Sequence, residues 1–223
     1  MKHLLGTALA VLASASLSAC ATTTGSKPAD KGKAPASPSA PLAKGLDPAA
    51  NKDPFPSTYR ALPGRNLAIV GATVFTGTGT QIENGTVLVE GGRIKAVGAG
   101  LAVPAGYETL DARGKWITPG LIDTHSHLGV YPSPEVQAHS DGNEATDPNT
   151  DQVWAEHSVW PQDPGFNLAR AGGVTSLHIL PGSANLFGGR GVTLRNIPAR
   201  TVQDMKFPGA PYTLKMACGE NPK

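Results

Sequence analysis

Between Leu67 and Thr118 aliphatic and β-branched residues come in short runs broken by glycines, a pattern of strands and tight turns. Leu67-Ala-Ile-Val-Gly-Ala-Thr-Val-Phe75 predicts a strand that stops at Gly77-Thr-Gly79. Thr86–Glu90 and Arg93–Val97 alternate apolar with polar positions on either side of Gly91-Gly92. Tight hairpin turns need positive φ, which glycine adopts freely, so the pattern predicts a β-hairpin. Glu108–Leu110 and Lys115–Thr118 predict two further strands, so a small all-β unit precedes any helix.

At Pro119-Gly120 the texture changes. Leu121-Ile-Asp-Thr-His-Ser-His127 reads as a short strand with an apolar entry and a polar exit. Residues 128–162 form a long polar stretch, the kind of loop that is functional or disordered. Asp163 as N-cap, Pro164 at the first helical position and Gly172 past the end predict a helix, followed by a strand over Val174–Leu180. This β–α–β rhythm favours a parallel sheet. A glycine-rich loop, Pro181–Gly191, and a third strand, Tyr212–Ala217, complete the pattern. Gly188-Gly189-Arg190-Gly191 lacks the lysine and spacing of a phosphate-binding loop.

Composition changes the picture mainly at the N-terminus. Met1-Lys2-His3 followed by the apolar run Leu4–Leu17 has the shape of a secretory leader and is too short to span a bilayer. Leu17-Ser18-Ala19-Cys20 resembles the bacterial lipobox, which implies that residues 1–20 act as a lipoprotein signal with cleavage just before Cys20, lipidation of Cys20 as the new N-terminus and a membrane contact through that anchor only. Ala21, where no aspartate stands, resembles lipoproteins sent on to the outer membrane, so the expected location is periplasm or outer membrane. Residues 21–60 are Ala/Pro-rich, with seven prolines between Ala21 and Ser57, and read as a tether that buries too little to fold. Nineteen basic against 17 acidic residues, net +2, argue against nucleic acid as a partner. The other cysteine, Cys218, has no partner once Cys20 is acylated, and is expected to be buried and inert.

Candidate chemistry centres on His125 and His127. Two apart at a strand end, their imidazoles project to one side together with Asp123, an arrangement that can hold a divalent metal. The stretch Gly114-Lys-Trp-Ile-Thr-Pro-Gly-Leu-Ile-Asp-Thr-His-Ser-His127 resembles the entry motif of the amidohydrolase superfamily. Ala155–Pro164, Leu180–Leu186 and Gly219–Lys223 resemble its imidazolonepropionase-like periplasmic branch. The resemblance spans roughly residues 67–223. It implies an α/β architecture in which residues 61–118 form the first part of a β-sandwich. Residues 119–223 would then carry the first ~three βα units of an incomplete (β/α)8 TIM barrel. It also implies metal ligation by His125 and His127 and a bridging group from Glu220 or, alternatively, a carbamylated Lys215. Zinc is the expected ion, one or two in the full-length protein. His139 and His157 read as loop residues or substrate contacts, and His178 as a structural histidine.

In that family metal-activated water attacks a C–N bond and a late aspartate shuttles the proton. The later histidines and that aspartate find no match, so no catalytic residue is assigned. A TIM barrel takes ~250 residues, and 108 run from Trp116 to Lys223. The sequence therefore points to the N-terminal portion of a metal-dependent hydrolase of small amide-type substrates, inactive by itself, with room for an oligomer. The alternatives are a non-catalytic surface lipoprotein or pseudoenzyme and, within the class, a deaminase.

Overall fold

The computed structural model describes residues 53–222. The leader, the lipidation site Cys20 and the tether up to residue 52 lie outside the described residues. Among the described residues no helix is long and apolar enough to cross a membrane.

The first sheet has the order β3-β2-β1-β4, built from β1 (Leu67–Phe75), β2 (Gln81–Glu90), β3 (Arg93–Ala99) and β4 (Glu108–Asp111). A short β5 (Trp116–Ile117) also pairs with β1. The β2–β3 hairpin turns at Gly91 and Gly92, with φ of 57° and 74°. That is the doubly positive geometry the glycine pair predicts, and it matches the twist of the flanking strands. β2 begins earlier than the alternation from Thr86 indicates, because Phe75 and Val74 pair with Gln81 and Ile82. Ala72, Val74, Val87 and Ala112 form the small core of this sheet.

The second sheet has the order β6-β7-β8-β9. Its strands are β6 (Leu121–Ser126), β7 (Val174–Ile179), β8 (Phe187–Arg195) and β9 (Thr213–Met216). β6 and β7 are parallel and joined through the helix α1 (Pro164–Ala171). Asp163 caps α1 by accepting from Gly165 N at 2.8 Å. Gly120 enters β6 where a Cβ would lie 2.2 Å from Thr175 Oγ1 and 2.7 Å from its Cβ, so the motif glycine answers to close strand packing.

From there the structure departs from the predicted succession of βα units. The stretch read as a glycine-rich loop ends inside β8, which runs antiparallel to both β7 and β9. β6, β7 and β9 therefore point the same way, but only the β6–α1–β7 unit is complete. Between β8 and β9 lies α2 (Val202–Met205), a single turn. Glycines at 188, 189 and 191 hide the strand from propensity. Leu177, Ile179, Val192 and Leu194 alternate onto one face and pack with Phe166, Val130, Val159, Val202 and Met205 as the larger core. β6 and β9 are the outer strands, and Leu121, Ile122, Leu214 and Met216 on them are exposed.

Residues 128–162 are not structureless. Two 3-10 turns, Gln137–His139 and Ala155–His157, punctuate them, and Asn149 and Trp154 bridge to Phe187 and Arg190 of β8.

Residues 53–59, within the stretch read as tether, lie against the segment that leads into β9. Thr58 N donates to Gln203 O at 3.0 Å and Ser57 Oγ to Lys206 O at 2.7 Å. Phe55 sits edge-on to His157 and Trp154. The Lys206 ammonium is 2.8 Å from Asp53 and 2.9 Å from the fully buried Glu156, and it also donates to Phe55 O.

Candidate metal centre

The ends of three same-direction strands bring the chemistry together. β6 delivers His125 and, one residue past its end, His127, with ring centroids 5.2 Å apart and nearly perpendicular. Asp123 accepts from His125 N at 3.1 Å, so it steadies its own strand end. His127 Nδ1 lies 2.9 Å from Leu180 O at the end of β7. A carbonyl can only accept, so Nδ1 carries the proton and the neutral ring keeps its Nε2 lone pair free. Metal-binding histidines have this outer support, which sets tautomer and ring orientation together.

Lys215 of β9 reaches the next carbonyl, Pro181 O, at 3.1 Å and Ser183 Oγ at 3.3 Å. It is buried, and among the described residues no carboxylate pairs with it. Burial pushes its amine below the usual lysine value. Consecutive carbonyls at the end of β7 thus hold His127 and Lys215.

Burial is also the main cause that lowers His127 below 6.5, helped by the positive charges of Lys215 and His125 and opposed by the Leu180 carbonyl and Asp123. His178 is lowered for the same first reason, with His125 adding to it. A histidine depressed in the folded state lets the unfolded chain bind the proton first. The contribution to stability is intact above the unfolded value of ~6.5 and is lost as pH falls through it. The denaturation midpoint is expected to drop between about pH 7.5 and about pH 5.5, and His127→Gln with His178→Gln should flatten that slope.

The other expected residues stand apart. Glu220 is exposed in the turn beyond β9, and among the described residues no group of three His, Cys, Asp or Glu side chains is placed to hold a metal. His139 is exposed against Trp160, while His157 lines a cavity of about 320 Å3 together with Trp154, Asp141, Glu144 and Pro181. Cys218 is exposed, contrary to the expected buried thiol, because the ladder stops at Met216 and leaves it in the irregular segment just past the strand.

Sequence reasoning also missed two features. Beyond capping α1, the buried Asp163 accepts from Gly129 N at 2.9 Å and Ser133 N at 3.0 Å, which ties the loop after His127 to the helix. The two carbonyls at Leu180 and Pro181 had no signal of their own beyond lying at a strand end before a proline.

No family model matches the chain. "Amidohydrolase tasK" of Hapsidospora irregularis is 34% identical over 186 residues, covering 72% of this chain and 19% of that protein. The imidazolonepropionase of Cupriavidus metallidurans is 53% identical over 53 residues, 22% of this chain and 12% of that one. The crystal structure of an amidohydrolase from Thermotoga maritima superposes with a TM-score of 0.64 at 42% identity, over 70% of this chain and 40% of that one. The matched stretch belongs to the amidohydrolase superfamily. As an amidohydrolase-superfamily sequence, the chain spans about a fifth of the length of tasK and two fifths of the Thermotoga protein.

Proposed function

We propose that this chain carries the first part of a metal-dependent hydrolase of C–N bonds in small amide-type substrates. The observation that supports it most is the His127 ring, whose Nδ1–H is tied to Leu180 O while Nε2 stays bare beside His125. That donor set fits a divalent cation, and zinc suits imidazole nitrogen. Such an ion supplies a nucleophilic water near neutral pH and polarises a carbonyl.

What the residues themselves do is limited and specific. Leu180 O keeps His127 in the ligating tautomer, and Asp123 holds the backbone of His125. Burial keeps both His127 and the Lys215 amine biased towards their neutral forms. A neutral amine is the form that condenses with CO2, giving a carbamate and releasing one proton. Lys215 is therefore favoured over the exposed Glu220 as the bridging group. The later strand-end histidines and the aspartate that the resemblance implies find no match in this sequence, so the chain by itself is expected to turn over little or no amide. The exposed apolar side chains on the outer strands β6 and β9 suit a sheet built to receive further strands. Lipidation at Cys20 and a periplasmic or outer-membrane location complete the reading.

Zinc titration of the chain by calorimetry tests this. Saturable binding is expected, weakened by about tenfold or more in His127→Ala and in His125→Ala. Equal zinc affinity in all three proteins would remove the proposal. Metal-dependent hydrolysis of dipeptides or cyclic amides at an ordinary enzymatic rate by this chain would overturn the expected inactivity.

A further inference from the structure

The glycines of β8 and the histidine of β7 have no role in the reading above, yet they meet. Alternation on β7 turns Leu177 and Ile179 into the core and Ser176 and His178 to the opposite face. There the His178 ring uses both nitrogens: Nδ1 is 3.0 Å from Thr193 Oγ1 of β8 and Nε2 is 2.7 Å from Thr213 Oγ1 of β9. A neutral imidazole has one donor and one acceptor, and a hydroxyl serves either, so both bonds are satisfied without charge.

β8 lies between β7 and β9, so the second bond must cross it. Gly191, the register partner of Thr213, is where it crosses. A Cβ at Gly191 would stand 3.0 Å from His178 Nε2, 2.8 Å from Thr213 Oγ1 and 2.6 Å from Leu180 Cδ2. One step further along, Lys215 reaches over β8 to Pro181 O beside Gly188, whereas its register partner Gly189 makes room on the other side, where a Cβ would stand 2.6 Å from Val153 O. A Cβ on neighbouring Gly188 would already touch the Lys215 stem, 3.6 Å from Cγ. Two cross-strand links thus run side by side over a floor of glycine.

We infer that His178 is a positioning residue: through Thr213 it fixes β9 against β7 across Gly191, and so sets Lys215 on the Pro181 carbonyl next to His127. The glycine-rich segment serves as a gap for these links rather than as a ligand loop. The importance of this for activity rests on the reading of the His127–Lys215 end as the active site; the positioning itself does not.

The experiment is amine labelling of the full chain with acetic anhydride, read by mass spectrometry at each lysine, on wild type, His178→Ala, Thr213→Val, Thr213→Ser and Thr193→Val. Valine keeps the shape of threonine and removes only the hydroxyl. Lys215 is expected to be slow in wild type and about tenfold faster in Thr213→Val and His178→Ala, the change in local opening that one net hydrogen bond gives. Thr213→Ser should restore the slow rate, and Thr193→Val should leave Lys215 unchanged. The buried Lys206 is the internal control and should stay slow throughout. Lys215 rates that do not move in Thr213→Val, or that rise only together with Lys206, overturn the inference. Zinc titration of the same proteins separates the two readings. Wild type without zinc affinity sinks the metal proposal and leaves the labelling result standing, whereas unchanged labelling with intact zinc binding sinks the positioning role alone.

Discussion

Asp163→Ala is expected to bring the chain close to unfolding at room temperature. The carboxylate is 1% exposed and accepts three backbone N–H groups, from Gly129, Ser133 and Gly165. Alanine leaves all three without a partner, and each orphaned buried donor costs about 1–3 kcal/mol. Allowing for relaxation and water entry, a loss on the order of 4 kcal/mol follows, a large part of the 5–15 kcal/mol that holds a domain. Asp163→Asn sharpens the test. Its one acceptor oxygen can replace Oδ1, which serves Ser133 and Gly165, but not Oδ2, which serves Gly129. Urea unfolding should therefore rank wild type above Asn above Ala. An alanine variant within about 1 kcal/mol of wild type would show that these bonds are replaced by water at little cost.

Lys206→Met comes second in size. The ammonium is 6% exposed and lies between Asp53 and a Glu156 carboxylate that is fully buried. Removing it leaves Glu156 in the interior with the Tyr212 hydroxyl as its remaining hydrogen-bond partner. Breaking one side of a buried pair typically costs about 3–5 kcal/mol, whereas replacing both sides costs far less. Lys206→Met with Glu156→Gln should thus be more stable than Lys206→Met alone. If the double variant is as unstable as the sum of the two single ones, the pair is not coupled and the expectation fails.

How much of this was legible beforehand depended on whether the determining chemistry is local. Gly91-Gly92 and the Asp163-Pro164…Gly172 frame act through their own backbone, so the hairpin and α1 could be read directly. The His125/His127 pair was visible for the same reason, as an alternation within one strand. β8 was not visible, because its glycines oppose strand propensity and make sense only once His178 and Lys215 pass over them. Sequence position put Glu220 ahead of Lys215 as the bridging group, because Glu220 lies past the strand end, but position carries no record of burial or of a carbonyl on another strand. The polar, proline-rich look of residues 53–59 also misled, because their partners lie about 150 positions away: Asp53 meets Lys206 and Thr58 meets Asp204.

That last contact has a mechanical consequence. Were Cys20 anchored to a membrane, as proposed above, a pull on the chain would enter the described fold at Asp53. The load then reaches the fold first where Phe55 is clasped by Trp154 and His157 and Asp53 is held by Lys206. β1 begins only at Leu67, so the hairpin sheet lies behind that shackle and the His125 strand behind the sheet. In that arrangement a pull would be taken up at the Asp53–Lys206 clasp before it reached the strand that carries the two histidines.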